Sequence, residues 1–226
     1  TSIVNSIQCT LKAIYRYGER THGLKKLDFN VIKFSQKSKT KEPLTLEKEM
    51  IIWQYCLNNK ERISLAMSLG LYAGLRIGEI CALKWEDIDL ENSMISITKT
   101  VQRLKSENHE QKTQLYILEP KSTSSIRSVI LPDFLIEYLK KYNDLYNKDF
   151  FILSNKEIPV DPRIIQKNFR KICKANDIDA TFHTLRHTYA TNCIKTNIDV
   201  KTLSETLGHA NVNITLNRYV HSSLDT

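Results

Sequence analysis

The chain has 226 residues, 41% of them hydrophobic and 26% charged, the makeup of a folded globule and not of a disordered or collagen-like polymer. Lysine and arginine outnumber aspartate and glutamate by 33 to 25, and the resulting net charge of +8 attracts polyanions, nucleic acid above all. No run approaches the ~20 apolar residues of a membrane span, no signal peptide opens the sequence, and five scattered cysteines (Cys9, Cys56, Cys81, Cys173, Cys193) form no CxxC pair, so a cytoplasmic protein with reduced, packed thiols is expected.

Ile3, Val4, Ile7, Leu11, Ile14 and Tyr15 recur at three- and four-residue spacing and predict a helix with one apolar face. Such a stripe at the start of the sequence is expected to be the last helix of a domain whose upstream partners are absent, covering residues 1–34. Residues 35–44, running through Ser35, Lys37, Lys39, Lys41 and Pro43, are nearly free of apolar side chains and predict an extended linker. The main domain is expected to occupy 45–226.

Thr45 predicts an N-cap, with Glu47 and Glu49 favoured by the positive end of the helix that follows. Ile63–Leu71 is apolar nearly all round and predicts a central helix, stopped at Ala73-Gly74 by a left-handed glycine. A short helix over Ile77–Leu83 comes next. The period then changes to that of strands, at Met94–Val101, Gln114–Leu118 and Ser128–Leu131, which predicts one small antiparallel sheet. A long polar loop is expected to separate the first two, and a hairpin connection over Glu119–Arg127 to join the last two. Helix returns from Asp133, with Phe134, Leu135, Tyr138, Leu139, Tyr142 and Leu145 on one face. Asp161-Pro162 predicts a cap and a first-turn proline, with Ile164, Ile165, Phe169 and Ile172 turned inward. Further helices are expected over Leu185–Lys195, over Asp199–Leu207 closing on Gly208, and near Ile214–His221. The predicted fold class is mainly α with a small inserted antiparallel β-sheet (α+β).

Four local features carry candidate chemistry: Arg76 with Glu79, Lys121, His183 with Arg186, and His209 followed by Tyr219. Each has an ordinary structural reading. Arg76 and Glu79 make an i, i+3 surface pair, Lys121 is a solvated turn lysine, and His209 sits at a helix end. Tyr219 is one of ten tyrosines and reads as packing. His183 and His187 stand at a metal-ligand spacing, and with Cys193 they are the basis of a zinc-hydrolase alternative, but the glutamate of the zinc-hydrolase motif does not follow His183. Together the features make a different sum. Two guanidiniums, two imidazoles and an ammonium suit the charge of a phosphoryl transition state. A tyrosine hydroxyl among cations becomes a nucleophile, and a lysine can protonate the leaving alkoxide. No carboxylate cluster suited to Mg²⁺ accompanies them, so chemistry without metal or cofactor is expected.

Ala73-Gly-Leu-Arg-Ile-Gly-Glu-Ile-Cys-Ala-Leu-Lys-Trp-Glu-Asp-Ile88, Phe182-His-Thr-Leu-Arg-His-Thr-Tyr-Ala-Thr191 and Leu207-Gly-His-Ala-Asn-Val-Asn-Ile-Thr-Leu-Asn-Arg-Tyr219 resemble the three boxes of the tyrosine recombinase (phage integrase) family. Glu119-Pro-Lys-Ser-Thr-Ser-Ser-Ile-Arg127 resembles its lysine hairpin, and the order and spacing match. The resemblance implies the family's catalytic-domain fold in 45–226 and the end of its core-binding domain in 1–34. It implies Tyr219 as nucleophile, forming a 3′-phosphotyrosyl bond, with Arg76 and Arg186 holding the scissile phosphate. Lys121 would be the general acid, His183 would assist proton transfer, His209 would donate to the phosphate, and Glu79 would orient Arg76 or a histidine. Within the family the polar 102–113 stretch and the Glu-Pro-Lys-Ser hairpin most resemble integrases of conjugative transposons and Gram-positive phages. The implied partners are double-stranded DNA, three further copies in a tetramer, and excisionase and DNA-bending proteins, with no membrane. Alternatives are a catalytically inactive regulator descended from a recombinase, and a chromosome-dimer resolvase. Many members of the family exchange a C-terminal segment between protomers; only Val220–Thr226 follow Tyr219, so that segment is expected to be short or cut away here.

Overall fold

The computed structural model describes residues 2–25, 42–106, 112–120, 123–143 and 147–216. The chain divides into two compact units, Thr1–Thr40 and Lys41–Thr226. In the first, α1 (Ser2–His22) carries the apolar stripe that the spacing predicts. Ile3, Ile7, Leu11 and Ile14 on it are all exposed, and the Tyr15 hydroxyl donates to the Lys25 carbonyl beyond the helix end.

The second unit is built round α3 (Arg62–Tyr72), in which every residue from Ile63 to Leu71 is buried. Its neighbours are α2 (Leu46–Asn58), α4 (Ile77–Ala82), α5 (Asp133–Asn143), α6 (Pro162–Ala175) and α7 (Phe182–Lys195). An all-round apolar helix is stable only inside such a jacket, which is why its sequence lacks a polar face. Local chemistry sets the helix ends. The Thr45 hydroxyl accepts from the Lys48 amide to start α2, and the Asp161 carboxylate accepts from the Arg163 amide beside Pro162 to start α6. α7 begins at Phe182, three residues before the predicted start, because Thr181 and Thr184 cap it. Two polar bonds tie α7 to the beginning of the domain: the Leu44 amide donates to Thr188 Oγ1, and Asn192 donates to Glu49.

The β region differs from the single sheet expected. One sheet has three antiparallel strands in the order β1 (Ile88–Asp89), β2 (Met94–Ile97), β5 (Arg127–Ile130). The other pairs β3 (Thr100–Lys105) with β4 (Thr113–Leu118), from Thr100 opposite Leu118 to Lys105 opposite Thr113. The expected strand over 94–101 is therefore two strands. Ile95, Ile97 and Val101 all point inward, but Lys99 falls in the same phase and stays exposed, so the chain leaves the first sheet there. Residues 102–105 continue as strand where a loop was expected, while 107–111 lie outside the described residues. β4 and β5 belong to different sheets, so the 119–127 connection joins no paired hairpin. β1, and the buried Phe151–Leu153 stretch that bridges to Lys84, were not expected.

α8 (Val200–Leu207) and α9 (Val212–Thr215) complete the described chain. Asp199 caps α8, and Gly208 closes it in the left-handed conformation at φ 62°. The expected reach of the last helix to His221 lies outside the described residues, as does Leu145. Cys56, Cys81, Cys173 and Cys193 are buried as small hydrophobes, whereas Cys9 on α1 is exposed, against expectation. Among the described residues no helix is long and apolar enough to cross a membrane.

Candidate functional site

The site is organised by the C-terminal end of α8. The last four carbonyls of a helix lack partners within it. Here the His209 amide donates to Ser204 and the Gly208 amide to Glu205, a closure that requires the left-handed backbone of Gly208. The next three carbonyls are each taken by an arginine from a different part of the chain. Arg127 Nε donates to Thr206 at 2.5 Å, Arg186 Nη2 to Leu207 at 2.6 Å, and Arg76 Nη2 to Gly208 at 2.9 Å. The negative end of the helix dipole favours this gathering of cations.

Arg186 lies on the buried face of α7, in phase with Phe182 and Ala190, and is 1% exposed. Its Nη1 also donates to the Gly74 carbonyl at 2.8 Å. That carbonyl is presented by the turn after α3, where Gly74 has φ 64° and a Cβ would collide with the Tyr189 ring. Arg186 Nη2 also faces His209 Nε2 at 3.1 Å, and His209 Nδ1 faces Thr215 Oγ1 at 2.8 Å. A guanidinium can only donate, so Nε2 accepts and Nδ1 carries the proton. A donor role for His209 toward a phosphate thus requires its ring to exchange that partner.

Glu79, in the first turn of α4, is 5% exposed and bonded on both oxygens. Oε1 accepts from Arg76 Nη1 at 2.7 Å and Arg127 Nη1 at 3.1 Å, while Oε2 accepts from Arg127 Nη2 at 2.9 Å and the Arg76 amide at 2.8 Å. Burial pushes its pKa up, but the bonds and charge of Arg127, and then those of Arg76, outweigh burial and hold the carboxyl below its ordinary range. One buried carboxylate therefore serves two guanidiniums, and with Arg186 the cluster keeps a net excess of two positive charges.

A cavity of about 400 Å³ opens beside this cluster, lined among others by Arg76, His183, Arg186, Gln166 and Arg170. His183 is exposed on the first turn of α7. The structure thus brings together Arg76, Glu79, Arg186 and His209 and places His183 on the same cavity; Lys121 and Tyr219 lie outside the described residues. Among the described residues no three His, Cys, Asp or Glu side chains form a group able to hold a metal, so His183, His187 and Cys193 do not assemble as the zinc alternative requires; the His187 ring faces Thr191 instead.

Three residues at or behind this cavity were missed from the sequence. Arg127 shares the inward phase of Val129 on β5, opposite buried Ile97, so a charge at that position had to find a buried acid. Gln166 and Arg170 belong to α6, whose outer face exposes Arg163, Lys167, Arg170, Lys171 and Lys174 opposite buried Ile165, Phe169 and Ile172; Ile164, expected inward, is exposed. The clustering of basic residues between inward apolar positions was a visible signal for that face.

The model of the phage integrase family matches residues 43–225. A protein named "Tyrosine recombinase XerC-like" from Caldanaerobacter subterraneus subsp. tengcongensis is 32% identical over 181 residues, covering 71% of this chain and 46% of its own. Transposase A from transposon Tn554 of Staphylococcus aureus is 31% identical over 199 residues, covering 86% of this chain and 52% of its own. The chain spans about half the length of the curated relatives it matches. Among solved structures, the Tn1549 transposon integrase in complex with transposon right end DNA superposes with a TM-score of 0.80 at 21% identity, covering 100% of this chain and 79% of that one, which establishes the fold. By sequence and by fold, the chain belongs to the phage integrase family, that of the tyrosine recombinases.

Proposed function

We propose that the chain carries the strand-cleaving and rejoining activity of a site-specific DNA recombinase that integrates and excises a mobile element. The observation that supports this reading most is the convergence of Arg76, Arg186 and His209 on the end of α8, beside a cavity that His183 also lines. In this mechanism the Tyr219 phenol oxygen attacks the scissile phosphorus and forms the 3′-phosphotyrosyl bond as the bond to the 5′ oxygen breaks. Arg76 and Arg186 hold the non-bridging oxygens, whose negative charge grows in the transition state. Lys121 gives a proton to the departing 5′ oxygen, and His183 assists proton transfer to and from the reacting oxygens. His209 contributes a hydrogen bond to the phosphate once its ring is released from Arg186 and Nε2 carries a proton, Nδ1 then accepting from the Thr215 hydroxyl. Rejoining is the reverse: a 5′ hydroxyl attacks the phosphotyrosine, and Tyr219 leaves. The ester energy is kept in the covalent bond, so the scheme needs no ATP, and the charge of the transition state is assigned to the side chains named.

Double-stranded DNA is the partner, and the basic face of α6 is the surface next to the cavity suited to its backbone. Assembly is taken as a tetramer on DNA, aided by excisionase and DNA-bending proteins, in the cytoplasm. Similarity to transposon proteins such as transposase A of Tn554 supports the mobile-element role. Residues 1–34 are read as the last helix of a core-binding domain, whose exposed apolar stripe on α1 suits a helical partner, and 35–44 as its linker.

The test is a suicide duplex nicked beside the cleavage point, taken from the ends of the element that carries the gene. The chain should form a covalent protein–DNA adduct, and Tyr219→Phe should abolish the adduct while binding persists. An adduct that survives in the variant would reassign the nucleophile.

A further inference from the structure

We propose that Arg127 is a positioning residue for strand transfer, holding Glu79, and through Glu79 the Arg76 guanidinium, against the C-terminal end of α8. The inference rests on the recombinase reading above. Arg127 does not line the cavity, and its side chain is 6% exposed, so it acts on the chemistry only through other groups.

Its guanidinium joins three segments that are far apart in sequence. Nη1 and Nη2 grip the two oxygens of Glu79 as a fork, at 3.1 and 2.9 Å. Nε donates to Thr206 at the end of α8, two residues before Gly208, which accepts from Arg76. Nη1 also donates to the carbonyl of Ser125 at 3.2 Å, the last residue of the short turn Thr123–Ser125. In sequence that turn begins two residues after Lys121. One side chain therefore ties down the turn after the candidate acid, the carboxylate behind one phosphate-binding arginine, and the helix end that precedes His209.

Only a planar fork with a separate Nε donor can do this. A lysine at 127 would keep the charge beside Glu79 but could not hold Thr206 as well. Without Arg127, Glu79 keeps Arg76 as its sole guanidinium and the Thr206 carbonyl is left without its donor, so the carboxylate and the helix end that hold the Arg76 fork are each less firmly fixed. Affinity for DNA depends on many phosphate contacts, whereas the rate depends on near-attack geometry. Loss of Arg127 should therefore slow cleavage far more than it weakens binding.

The experiment uses the full chain and compares Arg127→Gln, Arg127→Lys, Glu79→Gln and the double variant Glu79→Gln/Arg127→Gln. Single-turnover adduct formation on the suicide duplex, DNA affinity and thermal melting are measured for each. Arg127→Gln should form the adduct about 10- to 100-fold more slowly with affinity near that of wild type. Arg127→Lys should fall between the two, and the double variant should be no slower than the slower single, because both break one link. If Arg127→Gln does not fold, Arg127→Lys decides by itself. A folded Arg127 variant that forms the adduct at the wild-type rate overturns the proposal, as does a rate loss matched by an equal fall in affinity, or additive losses in the double variant. Amide exchange at Gly208 and His209 in the protein alone gives a second readout, expected to quicken in Arg127→Gln. Unchanged exchange there overturns the clamp, whatever the DNA chemistry does. Absence of an adduct from the wild type would instead defeat the recombinase reading, and the exchange result would still judge Arg127.

Discussion

Glu79 shows how one residue converts a sequence spacing into a site. From the sequence it pairs with Arg76 at i, i+3, an arrangement worth little at a surface. In the structure it is buried between two guanidiniums, so its loss leaves two charges without their counter-ion. Glu79→Gln should therefore destabilise the domain by about 3–5 kcal/mol at neutral pH. The sign of the pH dependence follows from the lowered pKa. Its contribution is complete above the usual 4.5 of a glutamate and is lost as pH falls through the lower folded value. The stability gap between wild type and Glu79→Gln, measured by denaturant melts across pH, should stay constant at neutral pH and shrink on acidification below the usual value. A gap that widened instead would contradict the ion-pair arrangement.

At the scale of the element, the end of α8 is where most of the geometry is decided. Gly208 has two reasons to be glycine: its φ is 62°, and a Cβ would stand 2.9 Å from Arg127 Nη1. Gly208→Ala should lower stability by about 1–3 kcal/mol from backbone strain alone. It should also loosen the hold of the three arginines, which would appear in melting and in amide exchange at His209. The helix itself was legible from Asp199 and Gly208, because caps are local chemistry. Its role as a gathering point was not, because carbonyls carry no side-chain signature and their arginine partners come from the start of α4, from β5 and from α7. The sheet illustrates the same limit. The strands were visible as alternation, but the break at Lys99 and the separation of β4 from β5 depend on which face is covered.

For the whole molecule, the excess of basic residues becomes directional only once α6 is placed. Its exposed lysines and arginines lie on the helix that supplies Gln166 and Arg170 to the cavity. Binding to duplex DNA should weaken steeply with salt. Lys167→Ala with Arg170→Ala should reduce the slope of log K against log salt by about 0.9 for each phosphate that is no longer neutralised. An unchanged slope would move the DNA surface elsewhere. A hollow of about 510 Å³ between Lys60, Tyr142 and Asn155 is lined by none of the residues of the candidate site.

The sequence by itself determined most of the helices, the caps at Thr45, Asp161 and Gly208, the central all-apolar α3 and the set of chemical groups, because each is written within a few neighbouring residues. It also marked Arg76, Glu79, Arg186 and His209, which the structure places in one cluster although they are spread over more than half the chain. What only the tertiary structure decided is the pairing: which strand joins which sheet, and that Arg127 completes the Glu79 bridge. It also decided that three arginines share the end of one helix. Local propensity acts over a turn or a strand, whereas a buried charge is satisfied by whichever opposite group packing brings within reach, and that group is not written beside it.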